Sequence, residues 1–303
     1  MLAASVLAAG PACAGALRYI LVERSARLRS EQPTRLPVAD PAQVLGPAAP
    51  PSGDDDDGPP GHLPGSGPLV TSLAGLPAGP LTGVVLANEL LDDVPWRLLE
   101  RRGAAWCEVR VGVDPDEPEH IDSLVEVVVP AAPDLAAEAD RLLGSGSAVA
   151  DGARLPVQRA AVAWLREALS VLGRGRVVVV DYASTSAELV ARPSTAWLRT
   201  YRGHQRGDPP LEAPGRQDIT CDVAVDQLAR LRAPTEDRSQ AAFLRAHGID
   251  ELVDEARAAW QARAHVGDLE ALRHRSRLSE AAALTDPAGL GGFRVVEWVV
   301  AGG

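Results

Sequence analysis

The stretch "GVVLANELLDDVPWR", residues 83–97, decides the fold. Gly83 to Ala87 is an unbroken apolar run, and it predicts a strand over 82–88 that is buried as in a parallel sheet. The run ends on Asn88 and Glu89, and Asp92 and Asp93 follow before Pro95 stiffens the exit. Asn88 is the single asparagine of the 303 residues. The carboxyl ends of strands are where open α/β sheets bind ligands. The functional reading is a polar pocket for a cationic or amide group, with Glu89 expected to be partly buried. The plainer reading is capping, with Asn or Asp side chains bonding orphan amides of a following turn. Asp93 reads as solvated.

Two more stretches share this pattern. "LRYILVE" (17–23) is a strand ending at Glu23, and "SARLRSEQ" follows as a helix with Ser25 at its N-cap. "GRVVVVDYAS" (175–184) gives a strand over 176–181 ending at Asp181. The strands 17–23, 82–88 and 176–181 are expected to be central, with their polar ends sharing one cleft. An acid in the place of Glu23 can accept both hydroxyls of a ribose; a solvated strand-end charge explains Glu23 equally well.

Around these strands the chain alternates. Short strands are predicted at 69–73, 96–101, 105–113 and 123–129, and an amphipathic helix at 156–172, stopped by Gly173. Beyond residue 222, helices are expected at 223–232, 238–247, 250–264 and 266–275, Gly248 ending the second. The closing strand is "GFRVVEWVV" (292–300). Residues 1–10 read as the end of a helix. Residues 37–68, rich in Pro and Gly with Asp54–Asp57 inside, read as a disordered loop; EF-hand spacing is absent, so no metal is assigned. The alternation predicts an α/β protein with a mainly parallel sheet.

Composition narrows the partners. The net charge is −11, which disfavours a nucleic-acid-binding surface. All thirty basic residues are arginine, as expected of GC-rich coding. Cys13, Cys107 and Cys221 lie far apart with no zinc spacing, so reduced, mostly buried thiols are expected. The first fifteen residues lack the basic start of a signal peptide, and no run approaches a membrane span. A cytoplasmic protein is expected.

One polar segment stands out, "LRTYRGHQRGDPPLEAPGRQDITCDV" (198–223). Long polar loops held in place are often functional. Tyr201, Arg202, His204 and Asp218 are its candidate substrate contacts; His204 is a candidate general base, although a lone histidine is more often structural. No GxSxG occurs, and "LGRGR" (172–176) and "GLGG" (289–292) both lead into strands, which is not the setting of a phosphate loop.

The segments "LVERSARLRSEQ", "GVVLANELLDDVPWRLLERRGAAWCEV", "VVVVDYA", "SQAAFLRAHGI" and "GLGGFRVVEW", together with the polar segment, occur in the order seen in the MidA family. The chain resembles those class I S-adenosylmethionine-dependent methyltransferases along nearly its whole length, in an actinobacterial form. The resemblance implies a Rossmann-like sheet with an inserted β region at 96–130, an incomplete core over 1–222 and C-terminal helices with a closing strand over 223–303. It implies S-adenosyl-L-methionine as cofactor, with Glu23, Ser25 and Asn88 binding it. It implies a protein substrate; if that acceptor is arginine, as for the family's mitochondrial member, Glu89 and Asp92 are the candidate catalytic carboxylates to hold its guanidinium. Asp181 and Tyr182 match the family's "DYG", with Ala183 in place of the glycine. The family's first strand and glycine-rich loop have no counterpart, so a late start or a fragment is expected, with poor cofactor binding. Two alternatives stay open: a non-catalytic assembly protein that keeps the fold, and a nicotinamide oxidoreductase, which Glu23 would suit equally.

Overall fold

The computed structural model describes residues 2–46, 67–115, 123–144, 148–203 and 205–302. Asp54–Asp57 and His204 therefore lie outside the described residues. The chain divides into two units, Met1–Gly79 and Pro80–Gly303.

In the first unit, α1 (Leu2–Ala8) precedes β1 (Arg18–Val22), α2 (Ala26–Glu31), α3 (Pro41–Leu45) and β2 (Leu69–Leu73). β1 and β2 pair in parallel, Arg18 opposite Leu69 and Val22 opposite Leu73. Ser25 caps α2 by accepting from Leu28 N at 3.3 Å. Residues 37–46 are not the loop expected. Asp40 caps α3 through Ala42 N (2.8 Å), Pro41 presets its first turn, and Val44 is fully buried.

The second unit opens with β3 (Leu81–Asn88), β4 (Arg97–Arg102), β5 (Ala105–Val113), β6 (Leu124–Pro130), α4 (Pro133–Leu143), β7 (Arg154–Val157) and α5 (Arg159–Val171). Next come β8 (Leu172–Asp181), β9 (Ala183–Ser184), α6 (Ser186–Val190), β10 (Leu198–Arg202), β11 (Gln205–Arg206) and β12 (Asp218–Cys221). It ends with β13 (Val223–Ala224), α7 (Val225–Leu231), β14 (Glu236–Ser239), α8 (Gln240–Ala246), α9 (Ile249–Arg263), α10 (Leu269–Thr285) and β15 (Arg294–Val300).

The main sheet runs β14-β15-β8-β3, with β3 and β8 parallel and β15 antiparallel to both β8 and β14. β8 is the buried strand the sequence predicts, with Val177 to Asp181 all buried. On one face of β8, Val178 and Val180 pack against Phe293 and Val295. β3 departs from expectation. Among the described residues it pairs only with β8, so it lies at the edge, and Val84 (64%) and Leu86 (48%) are exposed. The antiparallel sheet β6-β5-β4-β7 takes in the strands expected within 96–130 and adds β7, and it packs Leu99, Trp106 and Leu155 against Leu135 and Ala139 of α4.

Several boundaries move. Gly173 does not stop the helix at 156–172: α5 starts at Arg159 because β7 takes the preceding residues, and it ends when Leu172 turns extended (φ −95, ψ 120). "LGRGR" is the entry to β8, where the register against β3 slips between Leu81 and Thr82. Gly175 has φ 143, and a Cβ there would overlap the Gly83 carbonyl. β13 and β14 take the first residues of two expected helices, and α10 runs to Thr285 rather than 275. Of the cysteines only Cys221 is buried; Cys107 is half-buried and Cys13 exposed.

Gly175 therefore sets how closely β3 and β8 approach. Gly175→Ala should destabilise the fold by at least about 2 kcal/mol, read from the urea midpoint. A midpoint equal to wild type would show that the crossing tolerates a side chain.

Candidate active site

The polar turn after β3 is built on the end of β8. Glu89 N donates to Val180 O at 2.9 Å, extending the β3–β8 ladder by one residue. The chain then reverses, and Glu89 takes a left-handed φ of 46. That reversal leaves Glu89 exposed rather than partly buried as expected, and Asn88 Nδ2 donates to its Oε1 at 3.4 Å. Leu91 is fully buried, and its amide donates to Asp181 Oδ2 at 3.0 Å. Asp181 Oδ1 accepts from Tyr182 N at 2.9 Å. The Asp92 carbonyl accepts from Cys221 N at 3.0 Å, which joins the turn to β12.

This scaffold buries two carboxyl groups together. Asp92 is 3% exposed and Asp181 1%. Burial, then the charges of Asp93 and Glu89, push Asp92 up to about 7, against a smaller downward pull from Arg199. Burial, then the charge of Asp92, pushes Asp181 up to about 8. Asp92 Oδ1 is buried with no hydrogen-bond partner among the described residues; the same holds for Thr220 Oγ1 and Arg199 Nε. Such atoms call for a ligand or solvent partner. Asp93 is exposed, but it is not the indifferent solvated charge expected: burial, Asp218 and Glu89 raise its pKa.

Arg199 is the cation of this cluster, and it is already engaged. Its guanidinium stacks 4.6 Å over the Tyr182 ring and pairs with Asp222. Asp222 is also held by Arg192 Nη2 at 3.3 Å. Burial raises Asp222 in spite of both arginines. Tyr182, packed 4.1 Å from Phe293 between ring centroids, is pushed to about 12 by burial and by Glu89. The cluster thus keeps an excess of acid, suited to an organic cation. Among the described residues no group of three or more His, Cys, Asp or Glu is arranged to hold a metal ion.

Among the remaining residues singled out from the sequence, Tyr201 is half-buried on β10, opposite Asp218 at the start of β12, and has Arg206 5.6 Å from its ring centroid. Arg202 is exposed opposite Gln205. Glu23 and Ser25 stand in the first unit, where Ser25 N donates to Glu23 Oε1 at 2.7 Å. Sequence reasoning placed Asp181 at the shared cleft without giving it a role, and gave Arg199 and Asp222 none. Asp181 ends an apolar strand and carried a signal; Arg199 is one of thirty arginines and carried none.

A family model described as "Putative S-adenosyl-L-methionine-dependent methyltransferase" matches residues 2–241. The chain belongs to that family, in agreement with the MidA resemblance. The mitochondrial protein arginine methyltransferase NDUFAF7 of Danio rerio is 28% identical over 186 residues, covering 59% of this chain and 40% of that protein. Two crystal structures of one superfamily from Burkholderia thailandensis share the fold. An uncharacterized native protein is 27% identical with a TM-score of 0.63, covering 76% of this chain and 58% of that one. A member bound to S-adenosyl-homocysteine is 26% identical with a TM-score of 0.69, covering 93% and 64%. The chain spans about two fifths of the curated relative and less than two thirds of either solved structure.

Asp92 and Asp181 bind protons more tightly folded than unfolded, so between about pH 4 and pH 8 the folded state holds more protons. Stability should fall as pH rises through that window. Asp181→Asn removes one of the two groups and should shrink the decline in urea midpoint by roughly half. An undiminished decline would assign it to other groups.

Proposed function

We propose that the protein is an S-adenosylmethionine-dependent methyltransferase acting on a protein side chain, arginine. The carrying observation is Asp92 Oδ1, buried without a partner among the described residues and beside further carboxylates. The family and the S-adenosyl-homocysteine-bound neighbour support the cofactor, and the arginine methyltransferase relative supports the acceptor.

The residues present fit such a cofactor. S-adenosylmethionine carries a sulfonium, an ammonium and a ribose diol but no phosphate, whereas a dinucleotide would bring its pyrophosphate toward these carboxylates. Within the first unit, Glu23, oriented by the Ser25 amide, has the chemistry to take a diol; within the second unit, taken by itself, Asn88 offers an amide at the end of β3. When bound, the cofactor supplies an electrophilic methyl group.

The chain's own groups would then do the following. A guanidinium is always charged, so Glu89 and Asp92 accept its N–H groups and fix one nitrogen for attack. That nitrogen loses a proton as it gains the methyl, and Asp92, titrating near 7, receives it. Asp181 is a positioning residue, acting through the Leu91 amide. Tyr201, Arg202 and Asp218 contact the acceptor. A cytoplasmic setting agrees with the three free cysteines. Among the described residues no helix is long and apolar enough to cross a membrane.

Glu89→Gln should lower turnover at least about tenfold while changing S-adenosyl-homocysteine affinity little. Labelled-methyl transfer and titration calorimetry measure the two. Equal losses would move Glu89 to the cofactor.

A further inference from the structure

Beside the acidic cluster, within the second unit, lies a groove of about 620 Å³. Its lining includes Leu98 and Val109, opposite each other on β4 and β5, and Val111 further along β5. Leu211 and Ile219, from the segment between β11 and the end of β12, also line it, as does Asp93. Val111 is 60% exposed and Ile219 37%, an unusual display of β-branched side chains beside a polar site.

Two features separate this groove from a casual surface dip. First, the segment carrying Leu211 is fastened from within. Gln217 Oε1 accepts from Asp208 N at 3.1 Å, and its Nε2 donates to the Pro209 and Glu212 carbonyls, both at 2.9 Å. Thr200 Oγ1 donates to Asp208 O at 2.6 Å, and Ala213 accepts a left-handed φ of 48 to close the loop. Such pre-organisation lowers the ordering cost of binding. Second, the charges along the groove are spent on one another. Glu108 is bonded to Arg97 and Arg110, and Glu126 to Arg154. Asp93, which also lines the groove, makes no ion pair among the described residues; it feels the charges of Asp218 and Glu89 and adjoins Asp92.

We propose that this groove seats the methyl-acceptor polypeptide as an extended segment, its apolar side chains on Val111, Leu211 and Ile219 and one basic side chain reaching the carboxylates beyond Asp93. The assignment rests on the proposed function and adds the docking surface and the sequence preference. An apolar channel with neutralised walls and an acidic end selects a segment whose apolar residues lie to one side of a cation.

The test uses nonapeptides with a central arginine and randomised flanks, equilibrated with the immobilised 303-residue chain. Wild type should enrich apolar residues on one side of the arginine. Val111→Asp and Leu211→Asp should each weaken the best fluorescein-labelled peptide at least about tenfold by anisotropy. Their far-UV dichroism should match wild type, since Val111 is already exposed and Leu211 is only half-buried in the loop. Replacing the peptide's arginine by glutamine should weaken it comparably. No apolar enrichment, or unchanged affinity in both folded variants, overturns the proposal. Labelled-methyl transfer to the bound peptide is scored separately. Groove-dependent binding without transfer supports the docking surface and counts against the methyltransferase reading instead.

Discussion

The Leu91 amide donates to Asp181 Oδ2 at 3.0 Å, and the site depends on that bond. Asp181 can hold the turn only because β8 carries it to the edge of a buried strand. The turn needs holding because β3 stops pairing after Glu89 and reverses in a left-handed conformation. With Leu91 anchored, Asp92 is drawn into the interior beside Asp181. Burial raises the proton affinity of both carboxyls; the charge of Asp92 raises that of Asp181 further, and Asp93 and Glu89 raise that of Asp92, whose Oδ1 has no partner among the described residues. The exposed placement of Glu89 and the buried placement of Asp92 are thus two results of one reversal.

The surrounding elements keep this arrangement from relaxing. Cys221 N holds the Asp92 carbonyl, and Asp222 N and Val223 N bond the carbonyls of Trp197 and Tyr182. Gln158 reaches the same strand: its Nε2 donates to Asp222 O at 2.9 Å, and its Oε1 accepts from Ala224 N. Among the described residues, Arg199 is the cation whose charge lowers Asp92, yet Asp222 and the Tyr182 ring already hold it. An incoming cation therefore meets acid that the protein has left uncompensated.

Much of this was legible in the sequence where side chains report their own surroundings. Val177–Val180 is apolar on both faces, and β8 is buried on both. Ser25 and Asp40 cap short helices as their type predicts, although only Ser25 was foreseen. The edge position of β3 was not legible, since an apolar run does not say whether a neighbour is present. The hairpin of β10 and β12 was hidden because ladder bonds come from backbone, while "RTYRGHQRGDPP" advertises only polarity. Helix α4 was missed although Pro133 and Gly144 mark its ends. Helix α10 outran its prediction because it buries only Ala271 and Ala281 and shows little periodicity. At the site, Asn88 and Glu89 were found by position, but the coupling of Asp92 to Asp181 joins residues far apart in sequence.

The central claim is that the Asp92–Asp181 pair holds a proton near neutrality that a cation displaces. Carbon-13 NMR of the aspartate carboxyls, titrated with and without ethylguanidinium, tests it directly. The account predicts that Asp92 titrates with a midpoint near 7 alone, and at lower pH when the cation is bound. A midpoint at the ordinary aspartate value, the same with and without the cation, would contradict it.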